Sequence, residues 1–199
     1  MAFKMDAVAK VKCIVFPLCL LPLLLLILDV MNNQLGPDPA NTLTRSLGEW
    51  ALRFLCITLA ITPLRKLTGV NKLIRFRRML GLFTFFYAVL HLLAYLAFML
   101  GWHWPTLAED LYKRPYIIVG AIALLILLVL SITSTKKQMR RLGKRWVKVH
   151  RLVYMAIALA VLHYLWLVKS DYSEPLLYGV IALVLLSFRV PILIKSFSR

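Results

Sequence analysis

Six apolar runs, at residues 13–30, 48–63, 79–100, 116–133, 147–168 and 175–194, alternate with short polar segments along the chain. A membrane-crossing helix needs about 20 predominantly apolar residues, with roughly 17–25 as the ordinary range. In lipid a single run can satisfy its own backbone polar groups only as a helix, so each run predicts one span. The second run is the weakest, being short and carrying Arg53. Pro63 is expected to mark its end, since the residue before a proline is biased away from helix. Ahead of it, Pro37 and Pro39 followed by Asn41 read as the start of a short interfacial helix running to Glu49. The pattern predicts an all-α membrane protein, a six-transmembrane-helix bundle forming one transmembrane domain over residues 1–199. Neither a soluble domain nor a linker is visible, and no Gly-x-Gly-x-x-Gly or Walker sequence offers a nucleotide site.

Composition agrees with that class. The 199 residues are 61% hydrophobic with a mean hydropathy of +0.80, against roughly 45–50% apolar in soluble domains. A net charge of +17 could point to nucleic acid, but the polar segments are too short to build a nucleic-acid-binding domain. The cations instead flank the spans. Residues 1–12, 64–78, 134–151 and the tail positions Arg189, Lys195 and Arg199 hold twenty of them, and the opposite loops hold four, Arg45, Lys113, Arg114 and Lys169. Positive-inside then expects both termini of this multi-pass chain in the cytoplasm, and six spans agree, since an even number returns the chain to its starting side. Trp102, Trp104, Tyr112 and Tyr116 would form an aromatic belt on the far side. Lys4, Lys10 and Lys12 ahead of the first run imitate a signal peptide, but the run is long enough to span and no Ala-x-Ala follows, so it is expected to be retained. Cys13, Cys19 and Cys56 read as small buried hydrophobes, and without a Cys-x-x-Cys-His no covalent haem attachment is expected.

Histidine is costly in hydrocarbon, so His91 in the third run and His163 in the fifth are functional candidates. The two runs cross in the same direction, and the histidines differ in depth by only about 6 Å at 1.5 Å per residue. Two neutral imidazoles at matched depth on neighbouring helices can ligate one haem iron axially. Gly81, Thr84, Ala88 and His91 share one helical face, and Ala156, Ala158 and Ala160 thin the helix before His163. Small residues of this kind serve either a flat cofactor or plain helix packing. His150, thirteen residues before His163, and Arg77, fourteen before His91, would lie about 20 Å towards the cytoplasmic face. His150 has three open roles: ligand of a second haem, partner of a haem propionate, or interfacial residue of a basic loop. Arg53 needs a partner, either Glu49 one turn earlier or a carboxylate on a cofactor. His103 reads as a surface residue of the outer loop.

Several stretches, taken in order and spacing, carry a family likeness. They are Leu35-Gly36-Pro37-Asp38-Pro39, the segment Leu43-Thr44-Arg45-Ser46-Leu47-Gly48-Glu49-Trp50-Ala51-Leu52-Arg53, and Thr62-Pro63-Leu64-Arg65. Arg75-Phe76-Arg77-Arg78-Met79-Leu80-Gly81-Leu82 and the group Trp146, His150, Arg151, Leu152 and Tyr154 complete them. Over nearly its whole length the chain resembles the MsrQ (YedZ) family, haem-binding membrane subunits of MsrPQ protein-methionine-sulfoxide reductase systems. The wider relatives are ferric reductases and NADPH oxidases, whose third and fifth spans ligate haem through histidines thirteen or fourteen residues apart. The resemblance implies a ferric-reductase-like bundle with His91 and His163 at the outer haem b and His150 at an inner position. There this chain has Arg77 and Arg78 where two-haem relatives have histidine, which leaves one haem or two. The resemblance also implies FMN. Electrons would come from the quinone pool or a cytoplasmic flavin reductase and go to a periplasmic molybdopterin methionine-sulfoxide reductase subunit (MsrP). With no sulfoxide-reducing centre in sight, the chain is expected to be an electron conduit. The alternatives are a stand-alone ferric or quinol reductase and a non-redox membrane subunit.

Overall fold

A computed structural model describes residues 7–189 of the chain, and their regular structure is helical throughout. They fall into two compact units, the first ending at Trp102 and the second beginning at His103.

The first unit contains α1 (Ala7–Met31), α2 (Pro39–Thr68) and α3 (Arg77–Ala94), the last entered through a 3₁₀ turn at Asn71–Phe76 and continued by a π turn at Tyr95–Met99. Asp38 caps α2 by accepting from the Asn41 N–H at 3.1 Å, with Pro39 in the first turn. The helix stops at Gly69, which adopts φ +71° and donates to the Arg65 carbonyl at 3.0 Å, a left-handed cap that suits glycine. Nothing interrupts the 30 residues between. The expected interfacial helix and second span are therefore one element, and Pro63 lies inside it. A proline withdraws one N–H from the ladder but does not end a helix whose neighbouring turns are packed.

Packing explains why α2 was the weak run. It is the most buried of the long apolar helices, with Leu55, Leu59 and Phe54 enclosed and Thr44 and Thr58 buried beside them. In contrast α1 turns Ile14, Leu18 and Leu24 outward and buries only Val8, Cys19, Pro22 and Leu26. Pairings fix the directions. Thr44 meets His91 and Thr58 meets Gly81, making α2 and α3 antiparallel. Phe16 lies against Phe83, and Cys19 and Leu23 reach Tyr87, making α1 parallel to α3. Phe54 stacks on Phe83 at 5.8 Å and on Tyr87 at 5.2 Å in the centre. The fully buried Tyr87 donates its hydroxyl to the Cys19 carbonyl at 2.8 Å and accepts from the Leu23 N–H at 3.2 Å. Those two backbone groups are one i, i−4 pair of α1, in the turn that holds Pro22.

The second unit contains α4 (Trp104–Lys113), α5 (Pro115–Ile132), α6 (Lys136–Leu142), α7 (Arg145–His150), α8 (Val153–Leu167) and α9 (Ser173–Ser187). The unforeseen α4 occupies the loop expected to carry the aromatic belt, with Trp104 and Tyr112 exposed. A turn at Arg151–Leu152 divides the fifth run into α7 and α8. Ala156 and Ile157 of α8 are fully buried, and Ala123, Ile126, Leu127 and Leu130 of α5 nearly so. α9 lies antiparallel along α8: Tyr164 donates to Glu174 at 2.7 Å, Gly179 sits by Val161, and Arg189 donates to the Tyr154 hydroxyl at 3.2 Å.

Among the described residues five segments are long and apolar enough to cross a membrane: Ala7–Met31, Pro39–Thr68, Asn71–Met99, Pro115–Ile132 and Arg145–Leu167. α9, at 15 residues, is shorter. The expected sixth run extends to 194, and its last residues, with Lys4, Lys195 and Arg199, lie outside the described residues.

Candidate functional site

His91 stands in the last turn of α3, and its Nδ1 lies 2.8 Å from the Thr44 carbonyl oxygen of α2. A carbonyl only accepts, so Nδ1 carries the proton and donates, which puts the imidazole lone pair on Nε2. The ring rests on the backbone of Gly48, one turn after Thr44. A Cβ at Gly48 would stand 2.9 Å from Nδ1 and 3.1 Å from Cε1 of His91.

The second unit builds the same arrangement. His163 of α8 donates Nδ1–H to the Tyr116 carbonyl of α5 at 2.7 Å, and its ring rests on Gly120, where a Cβ would stand 2.8 Å from Nδ1. Donor and acceptor are 47 residues apart in both units. The tetrapeptide Ala88-Val89-Leu90-His91 recurs as Ala160-Val161-Leu162-His163. Each unit thus clamps one intramembrane histidine between two antiparallel helices, with the tautomer fixed by a backbone carbonyl. A histidine that ligates a metal through Nε2 characteristically has its other nitrogen held in this way, which orients the ring and raises its basicity.

The small-residue stripe before His91 serves the helix pair: Gly81 faces the Thr58 methyl group at 3.7 Å and Thr84 is buried, its hydroxyl returned to the Leu80 carbonyl. Arg53 has the expected partner. Its Nη2 lies 3.0 Å from Glu49 Oε2, the guanidinium stacks 4.7 Å over Trp50, and Arg45 takes the other Glu49 oxygen at 2.9 Å. Two cations on one carboxylate leave this face of α2 net positive.

His150, at the end of α7, is held differently. Its Nε2 lies 3.1 Å from the Thr133 hydroxyl, and its ring stacks on Trp146 at 4.1 Å. The hydroxyl also donates to the Val129 carbonyl at 2.7 Å, so Thr133 ties the ring to the end of α5, where His91 and His163 meet a backbone carbonyl instead. Trp146 Nε1 donates to the Thr133 carbonyl at 3.0 Å, fixing the same corner. Arg77 begins α3, half-buried. His103 is exposed, bonded to Thr106 at 2.7 Å, as a surface residue would be. Among the described residues no group of three or more His, Cys, Asp or Glu forms a metal cage. Gly48 stands in the sequence only as part of a family-like stretch and Gly120 not at all; the repeated tetrapeptide was a signal that the two histidines have like surroundings.

Residues 47–161 match the family described as "Ferric reductase like transmembrane component", which defines the class as a multi-pass membrane protein of ferric-reductase type. Among characterised proteins, the "Protein-methionine-sulfoxide reductase heme-binding subunit MsrQ" of Xanthomonas oryzae is 56% identical over 158 residues, 79% of this chain and 72% of the relative. The subunit of the same description from Herminiimonas arsenicoxydans is 48% identical over 183 residues, 90% of this chain and 84% of the relative. The chain belongs to the MsrQ family, and its place is the bacterial inner membrane.

Proposed function

We propose that this chain is the haem b transmembrane electron-transfer subunit of a protein-methionine-sulfoxide reductase. It takes electrons from the quinone pool or a cytoplasmic flavin reductase. It passes them to a periplasmic molybdopterin catalytic subunit for repair of oxidised periplasmic proteins. The observation that carries this reading is the pair of membrane histidines, each held with Nδ1–H on a backbone carbonyl and its lone pair on Nε2. That presentation suits residues that would hold haem iron through Nε2, and His91 and His163 are the proposed ligands. Bound haem b would supply a one-electron iron couple, its potential tuned by the histidines that hold it and by their hydrogen bonds.

The chain's own residues orient and neutralise. The Thr44 and Tyr116 carbonyls fix the ring planes. Arg53, steadied by Glu49 and Trp50, offers positive charge to a carboxylate of the cofactor. His150 and Arg77 belong to the cytoplasmic side, where His150 serves a second haem or a propionate. A second haem ligated through His150 Nε2 would require that nitrogen to leave Thr133. FMN completes the cofactor set on the strength of the family likeness, with the basic segment 134–151 as a positive surface for its phosphate. The whole chain, 1–199, works as one transmembrane domain of six spans with both termini cytoplasmic.

The test is the visible spectrum of the purified protein. We expect a low-spin b-type spectrum on reduction, and His91→Ala and His163→Ala should each abolish it or convert it to high spin. Wild-type spectra in both variants would overturn the ligand assignment.

A further inference from the structure

We infer that Gly48 and Gly120 are positioning residues that set the electronic character of the two haem ligands by letting each imidazole lie against the helix that holds its Nδ1–H. The inference rests on the reading of His91 and His163 as ligands and goes beyond it.

The glycines themselves carry the argument. The chain has eight. Four of them, Gly36, Gly69, Gly101 and Gly143, adopt positive φ in turns, where a Cβ would meet nothing. The other four sit inside helices, where glycine costs roughly 1 kcal/mol relative to alanine and needs a reason. Gly81 and Gly179 have ordinary neighbours, the nearest atoms lying 3.7 and 3.6 Å from where a Cβ would stand. Gly48 and Gly120 alone would bring a Cβ inside 3.0 Å of another atom, and in both cases the nearest such atom is the Nδ1 of a membrane histidine. General helix packing would spread such close approaches over many neighbours. Here both fall on the same atom of the same residue type in two separate hairpins. In both, the glycine follows by four residues the carbonyl that receives the bond.

The consequence follows from geometry. A methyl group at either position forces the ring away by several tenths of an ångström, and the flat side chain can move only by tilting or by lengthening Nδ1–H···O=C. Either change weakens the electron donation that this bond passes to Nε2. A weaker donor stabilises ferric iron less, so the reduction potential rises, and a tilted ring weakens the ligand field. Because the clamps are alike, the two substitutions should act in the same direction.

The experiment uses the full-length protein in detergent or nanodiscs, with Gly48→Ala and Gly120→Ala beside Gly81→Ala and Gly179→Ala as matched helix controls. We expect Gly48→Ala and Gly120→Ala each to raise the haem midpoint potential and add a high-spin fraction, with both controls at wild-type values. Unchanged potentials and spectra in both ring-facing variants would overturn the inference, as would equal shifts in all four. Should Gly48→Ala fail to accumulate, Gly48→Ala/His91→Ala is compared with His91→Ala. Recovery of inserted protein to the His91→Ala level shows that the methyl acts through the ring, and continued loss overturns the inference. The same comparison serves for Gly120 and His163. Retention of wild-type spectra by His91→Ala and His163→Ala would instead sink the ligand reading, while the accumulation cycle still decides the clamp.

Discussion

An imidazole in a membrane can be presented in two ways, and this chain uses both. His91 and His163 give their Nδ1 proton to a carbonyl, whereas His150 meets the Thr133 hydroxyl through Nε2. The difference adds to a separation the sequence already made, with His91 and His163 paired and His150 left with three open roles. We therefore expect His150→Ala to keep the dithionite-reduced low-spin spectrum while reduction by a quinol or flavin reductase slows. Stopped-flow absorbance in one preparation reads both quantities. Loss of all haem would make His150 a ligand of the principal site, and unchanged kinetics would remove it from electron uptake. The positions of His91 and His163, and the Glu49–Arg53 pair one turn apart, were legible in the residues because charge and imidazole stand out in hydrocarbon. Their acceptors were not legible. A backbone carbonyl has no residue signature, and the clamp depends on a helix 47 residues away.

At the scale of elements, run length located helices well wherever they face lipid, as with α1 and α5. It misjudged α2, whose long enclosed face needs little hydropathy, so its first three turns read as interfacial. It also missed α4, a ten-residue helix too short and too mixed for a span. The tie between α1 and α3 was equally invisible, because Tyr87 looks in sequence like one more aromatic of an apolar run. In lipid there is little hydrophobic drive between helices, so packing and hydrogen bonds hold them together, and α1 buries few side chains. Tyr87→Phe removes both hydroxyl bonds, yet the Cys19 carbonyl and Leu23 N–H can pair with each other. The expected loss is therefore about 1 kcal/mol, a net hydrogen bond rather than two stranded groups. Thermal unfolding in detergent, followed by circular dichroism, measures it. A loss above about 3 kcal/mol would mean that the backbone pair does not close.

For the whole molecule the sequence speaks through charge. Of its 25 Lys and Arg, twenty lie in segments assigned to one side, an asymmetry that fixes orientation in bacterial membranes. α9 runs antiparallel to α8, tied at Glu174 and Arg189, and both termini are proposed to be cytoplasmic. Reporter fusions at the C-terminus should therefore be active with cytoplasmic markers and silent with periplasmic ones; the reverse would require an odd number of crossings. The two clamps have a consequence for maturation. The carbonyl and the glycine that hold His91 both come from its own hairpin, and the same is true of His163. Ordering a side chain at a binding site costs about 0.5–1.5 kcal/mol, and here backbone and glycine meet that cost during insertion. If His91 and His163 hold haem as proposed, the polypeptide leaves the translocon with those rings already aimed and accepts its prosthetic group as a late and separate step.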